Sequence, residues 1–229
     1  MKLLMIDTAT IVASAAIIDE EKLIGETIVN YEKKHSEKLL PAIDHLLKDV
    51  GLSIQTMDAF GVVSGPGSFT GLRIGMATAK GFAQALNKPM VTVSTLESLA
   101  VNIYYADGII CPILDAQRSQ VYTGVYQADG TQVEQIIPDT VCDINELIVY
   151  LNKRSEKKYI LGDGCQKYYK EIEDKVDNVY QVMPYLAMNR ASSAAQIGIR
   201  KMKEGKTVDF KEASLMYIRP SSAEERFGK

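Results

Sequence analysis

Two aspartates and one glycine-rich loop are the residues of this chain whose types and positions could do chemistry. Asp7 and Asp115 each end a short apolar run and begin a polar turn, and the loop Gly65-Pro66-Gly67-Ser68 joins a third apolar run to a helical pattern. Carboxylates at strand ends are suited to holding a hydrated divalent cation, and a glycine-rich loop before a helix is suited to binding a phosphate. Together they would suit a nucleotide hydrolase or phosphotransferase.

The spacing of these residues does not match a working phosphate site. The glycines at 65, 67 and 71 are one residue too widely spaced for the dinucleotide fingerprint, and the lysine of a P-loop is missing. The turns after the aspartates, Thr8-Ala9-Thr10 and Ala116-Gln117-Arg118, lack the glycine that lets a backbone wrap closely around a phosphate. We therefore expect a degenerate nucleotide or anion site. Its residues are Asp7, Thr8, Gly65, Gly67, Ser68 and Asp115.

Other site chemistries have little support in the sequence. Ten residues of helix would place His35 and His45 about 80° apart, with no cysteine or second carboxylate grouped with them, so we expect no metal site. Cys111, Cys142 and Cys165 form no C-x-x-C pair and indicate neither zinc binding nor a disulfide framework. Because no serine or cysteine has a base at recognisable spacing, a protease is disfavoured.

Small residues recur along the helix that follows the glycine loop. Gly71, Gly75, Ala79 and Ala83 are spaced by four and lie on one stripe. An interior glycine costs about 1 kcal/mol relative to alanine, so the close approach of a neighbouring backbone would have to compensate. That neighbour is either the chain's own sheet or first helix, or a helix of another molecule. The spacing leaves both interpretations open.

The elements around these residues occur twice along the chain. Three apolar or alternating runs in the first thirty residues predict a strand meander, and helical and strand patterns follow it. The same order returns after residue 108, with Asp115 at the position of Asp7. We predict a duplicated α/β architecture of two lobes, each with the order βββαβα. Residues 1–104 would form the first lobe and 105–229 a smaller second lobe, whose terminal segment could pack back on the first.

The charge balance argues against independent binding of nucleic acid. The chain has 26 basic and 29 acidic residues and a formal net charge of −3, so tRNA would be reached only through a partner. The first residues imitate a signal peptide, but Asp7 interrupts their apolar stretch. No apolar run approaches the roughly 20 residues of a membrane helix. We expect a cytoplasmic protein without a membrane contact.

Seven segments resemble one bacterial family. They are IDTAT, HSEKLLPAI, GPGSFTGLRIGMATAKGFA, VSTLESLA, LDAQRSQVYTGVY, LGDG and YIRPSSAEER, and they extend over nearly the whole chain. The long glycine-rich segment is the most specific of them. On these segments the chain is similar to the TsaB family, formerly YeaZ, a component of the machinery that makes threonylcarbamoyladenosine in tRNA.

The resemblance implies an actin-like fold of two RNase H-like lobes and no catalysis by this chain alone. TsaB pairs with its paralogue TsaD, the transferase, and the pair recruits the ATPase TsaE. ATP would therefore be used by the complex, with no cofactor bound firmly by this chain. TsaD carries a metal-binding H-x-x-x-H motif, which this sequence lacks. Without TsaD, the resemblance implies a homodimer.

In the family, the partner surface is built from the first two helices, which correspond here to residues 36–50 and 68–87. Ser36 and Ser68 are the predicted N-caps of these helices. The candidate partner contacts are Leu39, Ile43, Leu46, Gly71, Leu72, Gly75, Met76, Ala79 and Lys80. The alternative is an autonomous nucleotide-binding hydrolase or phosphotransferase of the same fold.

Overall fold

The computed structural model describes residues 1–30 and 35–218, without the side chains of residues 35 and 36. By their contacts these residues divide into two compact units. Unit 1 comprises Met1–Ser98 and Asn189–Leu215, and unit 2 comprises Leu99–Met188 and the segment from residue 216. The division differs from the boundary predicted after residue 104. It also assigns Asn189–Leu215 to unit 1, a stretch within the predicted range 105–229, of which only the terminal segment was expected to pack on the first lobe.

Unit 1 contains a mixed five-stranded sheet. Its strands are β1 (Lys2–Asp7), β2 (Ala13–Asp19), β3 (Leu23–Val29), β4 (Ala59–Gly65) and β5 (Met90–Ser94), in the order β3-β2-β1-β4-β5. Strand β1 pairs antiparallel with β2 and parallel with β4. Strands β1 and β4 are almost completely buried. Their continuous apolar sequences follow from this, because a strand covered on both faces has no solvent-facing side.

Helices cover both faces of this sheet. Helices α1 (His35–Asp49) and α2 (Phe69–Leu86) share a core with Leu4 and Ile6 of β1. The alternate residues Leu3 and Met5 point to the other face, where a Cβ added to Gly198 would lie 2.5 Å from the Leu3 side chain. Gly198 belongs to the late helix Ala191–Lys203. A short helix, α3 (Thr95–Val101), follows β5.

Unit 2 repeats the arrangement of unit 1. Its strands are β6 (Gly108–Asp115), β7 (Gln120–Ala128), β8 (Val133–Asp143), β9 (Lys158–Leu161) and β10 (Val179–Gln181), and its helices are α4 (Ile144–Asn152) and α5 (Cys165–Lys175). The late helix Ala191–Lys203 is therefore α6 in chain order. The sheet order β8-β7-β6-β9-β10 matches β3-β2-β1-β4-β5. The predicted duplication is confirmed.

The predicted helix starts differ in accuracy. Ser68 caps α2, since its Oγ accepts a hydrogen bond from the Gly71 amide at 3.3 Å. Helix α1 begins at His35, so that Ser36 lies inside the first turn rather than before it. The terminal segment of the family resemblance lies largely outside the described residues. Of the helices within the described ranges, none is long and apolar enough to cross a membrane.

Candidate functional site

Asp7 lies at the end of β1 and is fully buried in unit 1. Its Oδ1 accepts a hydrogen bond from the Ala9 amide at 2.9 Å, and its Oδ2 accepts one from Nδ2 of Asn189 at 3.1 Å. Burial raises the pKa of Asp7 to about 6, although both hydrogen bonds act to lower it. The carboxyl group is engaged by its own chain and is not displayed to solvent, where a hydrated cation would reach it.

The glycine loop closes over the buried turn Thr8-Ala9-Thr10. The Ser68 amide donates to the Ala9 carbonyl at 2.6 Å, and the Thr8 hydroxyl donates to the Gly71 carbonyl at 2.7 Å. Gly67 has a φ of +155°, and a Cβ at this position would run into the Ala9 carbonyl. The requirement for glycine therefore comes from the chain's own backbone. The amides of Ser68 and Gly71 already have protein acceptors.

Asp115 holds the corresponding position at the end of β6 and is partly exposed. Its Oδ1 accepts hydrogen bonds from the Gln117 amide at 2.9 Å and the Tyr168 hydroxyl at 3.0 Å, and Nζ of Lys167 lies 3.3 Å away. Burial acts to raise the pKa of Asp115, but these hydrogen bonds and the charge of Lys167 outweigh it and hold the pKa below its usual value. The negative charge is thus balanced within unit 2.

The residues predicted for a degenerate nucleotide site are therefore divided between the units. Asp7, Thr8, Gly65, Gly67 and Ser68 belong to unit 1, whereas Asp115 belongs to unit 2. In each unit the aspartate and its neighbours are bound by groups of the same unit. The polar groups described above thus have hydrogen-bond or ion-pair partners within the protein itself.

The stripe of small residues on α2 faces the interior of unit 1. Its four members, Gly71, Gly75, Ala79 and Ala83, are buried. A Cβ on Gly75 would run into Oγ1 of Thr8 and lie 3.4 Å from Cγ2 of Val62. The groups that approach Gly75 closely are thus side chains of the chain's own sheet and of the turn after β1. The structure favours the first of the two interpretations that the sequence left open.

Most of the candidate partner contacts share this burial. The side chains of Leu39, Ile43, Leu46, Leu72 and Met76 are at most 7% exposed, and all of them except Leu72 belong to the core cluster beneath α1 and α2. Lys80 is half-buried. The positions of the buried candidates do not favour direct contact with a partner, and their assigned role stays a prediction.

A second row of small residues lies on the exposed side of α2. Ala77, Gly81 and Ala85 are exposed and spaced by four, and a Cβ on Gly81 would meet no atom within 4 Å. Towards the amino end of the helix, the guanidinium carbon of Arg73 lies 3.7 Å from the ring centre of Phe69. We call the face formed by Phe69, Arg73, Ala77, Gly81 and Ala85 the outer face of α2.

Sequence reasoning missed the outer face because both rows repeat every four residues. The signal that separates them lies in the flanking residues. Of the residues that flank the inner row, Leu72 is buried, and Met76 and Phe82 pack in the core. Arg73 and Gln84, beside the outer row, are exposed. On α1 the corresponding exposed apolar residue is Leu40, which is 53% exposed.

Metal and thiol chemistry are not suggested by the described residues. They contain no group of three or more His, Cys, Asp or Glu residues that could hold a metal ion. His45 is exposed on α1, and the side chain of His35 lies outside the described part of the chain. Burial raises the pKa of Cys111 and of Cys165 to about 12. Both thiols are therefore protonated and weakly nucleophilic at neutral pH.

Comparisons with known proteins find a family model described as TsaD and relatives named TsaB. Residues 22–219 match the family described as TsaD: tRNA N6-adenosine threonylcarbamoyltransferase. The tRNA threonylcarbamoyladenosine biosynthesis protein TsaB of Bacillus subtilis (strain 168) is 38% identical over 174 residues, which cover 76% of this chain and 76% of that protein. The protein of the same name from Escherichia coli (strain K12) is 29% identical over 97% of this chain and 96% of its own length.

A solved structure shows the same fold. YeaZ from Pseudomonas aeruginosa has a TM-score of 0.81 to this chain at 24% identity, covering 94% of this chain and 99% of that one. Together with the duplicated sheet order, this likeness confirms the predicted actin-like fold of two lobes.

Proposed function

The chain belongs to the TsaB (YeaZ) family and takes part in the biosynthesis of tRNA threonylcarbamoyladenosine, and from this premise we propose that it is a non-catalytic scaffold. In this proposal it pairs with TsaD, the transferase, and enables the recruitment of TsaE. ATP is used by the complex, and tRNA is reached only through the complex. The chain works in the cytoplasm and forms a homodimer when TsaD is absent.

The observation that carries the proposal is the state of the two aspartates. Asp7 is buried and bound by Asn189, and Asp115 is neutralised by Lys167. The space beside Gly67 is filled by the Ala9 carbonyl rather than left for a phosphate. A catalyst of phosphoryl transfer needs exposed carboxylates for its cation and a backbone cradle for its phosphates. The arrangement here supports chemistry performed by the partner.

The outer face of α2 supports a helix-to-helix contact with that partner. Gly81 has the conformational cost of an interior glycine, yet no atom of the described chain occupies the space beside it. Ala77 and Ala85, one turn away on either side, also have small side chains, so this part of the helix surface has no long side chain projecting from it. The separation of packed helices depends on the side chains at the contact, so a partner helix could approach closely here.

The substitution Gly81→Leu tests this contact. The new side chain would project into solvent in the isolated chain, so we expect its fold to be retained and its thermal midpoint to stay the same or rise. In the pair it would separate the two helices, and we expect the affinity for TsaD to fall at least tenfold, or about 1.4 kcal/mol. Calorimetric titration with purified TsaD measures the affinity, and Gly81→Ala is the matched control with a small side chain.

Two results would contradict the proposal. Wild-type affinity of the folded Gly81→Leu protein for TsaD would exclude the outer face as the contact. Tight binding of ATP and magnesium by the isolated chain, followed by turnover, would favour the alternative of an autonomous hydrolase or phosphotransferase. The second experiment needs no partner and separates the two function classes directly.

A further inference from the structure

Helix α2 carries charges of only one sign. Among its residues Phe69–Leu86, the charged side chains are Arg73 and Lys80, and both are basic. Because a helix turns by about 100° per residue, the seven residues between them bring Lys80 to within about 20° of Arg73, two turns further along. We call these two side chains the basic edge of α2.

The basic edge runs along one side of the small residues of the outer face. Ala77 and Gly81 lie about 40° and 80° around the helix from Arg73, in the direction away from Lys80. Packed helix axes are separated by about 8–10 Å, so the two long side chains reach the flank of a helix that covers Ala77 and Gly81. Charged residues at the flanking positions of a coiled coil are placed in the same way.

Neither basic side chain is neutralised by the described part of the chain. There, Arg73 and Lys80 have no hydrogen bond or ion pair, and the positions three and four residues away from each of them on α2 hold no acid. The guanidinium of Arg73 stacks on the Phe69 ring, with 3.7 Å between its carbon and the ring centre. Stacking uses the face of the guanidinium and leaves the N–H groups at its rim free to donate.

A partner that covers the outer face must balance these two charges. Removing a guanidinium or an ammonium from water is costly unless an opposite charge pairs with it, and a carboxylate does so with charge-assisted hydrogen bonds. A second copy of the chain is a poor match, because its α2 brings the same two cations and no acid. Asp44 on its α1 is already paired with Lys48 at 2.6 Å. The charges therefore favour a different protein.

We infer that the basic edge of α2 binds an acidic edge on the TsaD helix that covers the outer face, with two carboxylates about two turns apart. The inference rests on the proposed function and deepens it. The small residues let a helix approach closely, and the basic edge selects TsaD over a second copy of this chain. Flanking charges of this kind set the choice of partner between packed helices.

Neutralising the basic edge tests the inference. R73Q/K80Q removes both charges and keeps two long, helix-forming side chains, so we expect the fold to be retained. The affinity for purified TsaD, measured by calorimetric titration, should fall at least tenfold, and R73E/K80E should lower it at least a hundredfold. The matched control K203Q/K206Q removes two exposed charges at the end of α6, on the opposite face of the sheet, and should bind as the wild type does.

Substitutions in TsaD test the pairing directly. Each exposed aspartate or glutamate on the TsaD helix is changed to its amide, one at a time. At least one of these changes should weaken binding to the wild-type chain and have no further effect on binding to R73Q/K80Q, since the two substitutions remove the same contact. Added salt should weaken wild-type binding more than binding of R73Q/K80Q.

Three results would overturn the inference: wild-type affinity of the folded R73Q/K80Q protein for TsaD, an equal loss in K203Q/K206Q, and a loss confined to self-association in sedimentation equilibrium. The last would assign the basic edge to a second copy. In each case weakened binding of TsaD by Gly81→Leu would leave the proposed contact standing. Failure of the wild-type chain to bind TsaD would overturn both.

Discussion

The burial of the Asp7 carboxylate costs free energy of folding, and its two hydrogen bonds offset only part of that cost. Its pKa of about 6 in the folded chain exceeds the ordinary value of 3.8 because the carboxyl group is buried. Between these two values the folded state holds a proton that the unfolded state has released. The free energy of unfolding therefore falls as the pH rises from about 4 to about 6, by about 3 kcal/mol in total, and then levels off.

Asp7→Asn tests this dependence, because an amide keeps the size of the side chain and does not titrate. Urea unfolding of both proteins between about pH 4 and pH 8 measures the difference in their free energies of unfolding. We expect the wild type to lose stability relative to the variant through the window between 3.8 and 6, and the difference to be constant above it. A difference that is constant over the whole range would show that Asp7 titrates normally.

Gly75 and Gly81 of α2 have different surroundings. The same substitution to alanine should therefore change the free energy of unfolding in opposite directions at the two positions. Gly81→Ala should stabilise the chain by about 1 kcal/mol, since the methyl group enters open space and alanine is the better helix former. Gly75→Ala should destabilise it by about 1–3 kcal/mol, because the methyl group would be forced against Thr8 and Val62. Chemical unfolding of the two variants measures both effects. Equal shifts in the same direction would contradict the orientation of α2.

The elements show how far a single sequence can be interpreted. The bounds of β2 follow from a short run of small and apolar residues that ends at the acidic turn Asp19-Glu20-Glu21, and the cap of α2 at Ser68 follows from capping chemistry. The orientation of α2 does not, because the rows through Gly75 and through Gly81 have the same period. Only the sheet beneath the helix distinguishes them. Strand β10, with three residues, is too short to show any pattern.

The two units have the same topology but use the end of their first strand differently. In unit 1 the turn after Asp7 is buried beneath the glycine loop. In unit 2 the turn after Asp115 is exposed and left-handed, and the corresponding aspartate is paired with Lys167. The sequence predicted the duplication and the two aspartates, since both depend on local patterns. It could not predict this divergence, which depends on contacts between residues distant in the chain.

The same limit explains the late return of the chain to unit 1. Helix α6 has an ordinary amphipathic sequence, and nothing local indicates which sheet it covers. In the structure it lies on the face of the first sheet that carries Leu3 and Met5, and the Ala191 amide donates to Oγ of Ser14 at 3.0 Å. The backbone of Val208 then bridges to Met90 at the edge strand β5. Unit 1 is therefore completed by Asn189–Leu215, which follow the main segment of unit 2 in the chain.

Truncation after Met188 tests whether unit 1 depends on this return. The shortened chain would lack α6 and leave Leu3, Met5 and Val91 uncovered, so we expect unit 1 to lose its cooperative unfolding transition. Limited proteolysis should then cut rapidly within residues 1–98 and more slowly within 99–188, and circular dichroism on heating should show the lost transition. Truncation after Leu215 keeps all of unit 1 and is the matched control. Unfolding of the shorter truncation within a few degrees of this control would show that α6 is dispensable. Residues 1–98 would then have to form a stable sheet with one apolar face exposed to water. Such exposure is unfavourable for a single sheet of this size.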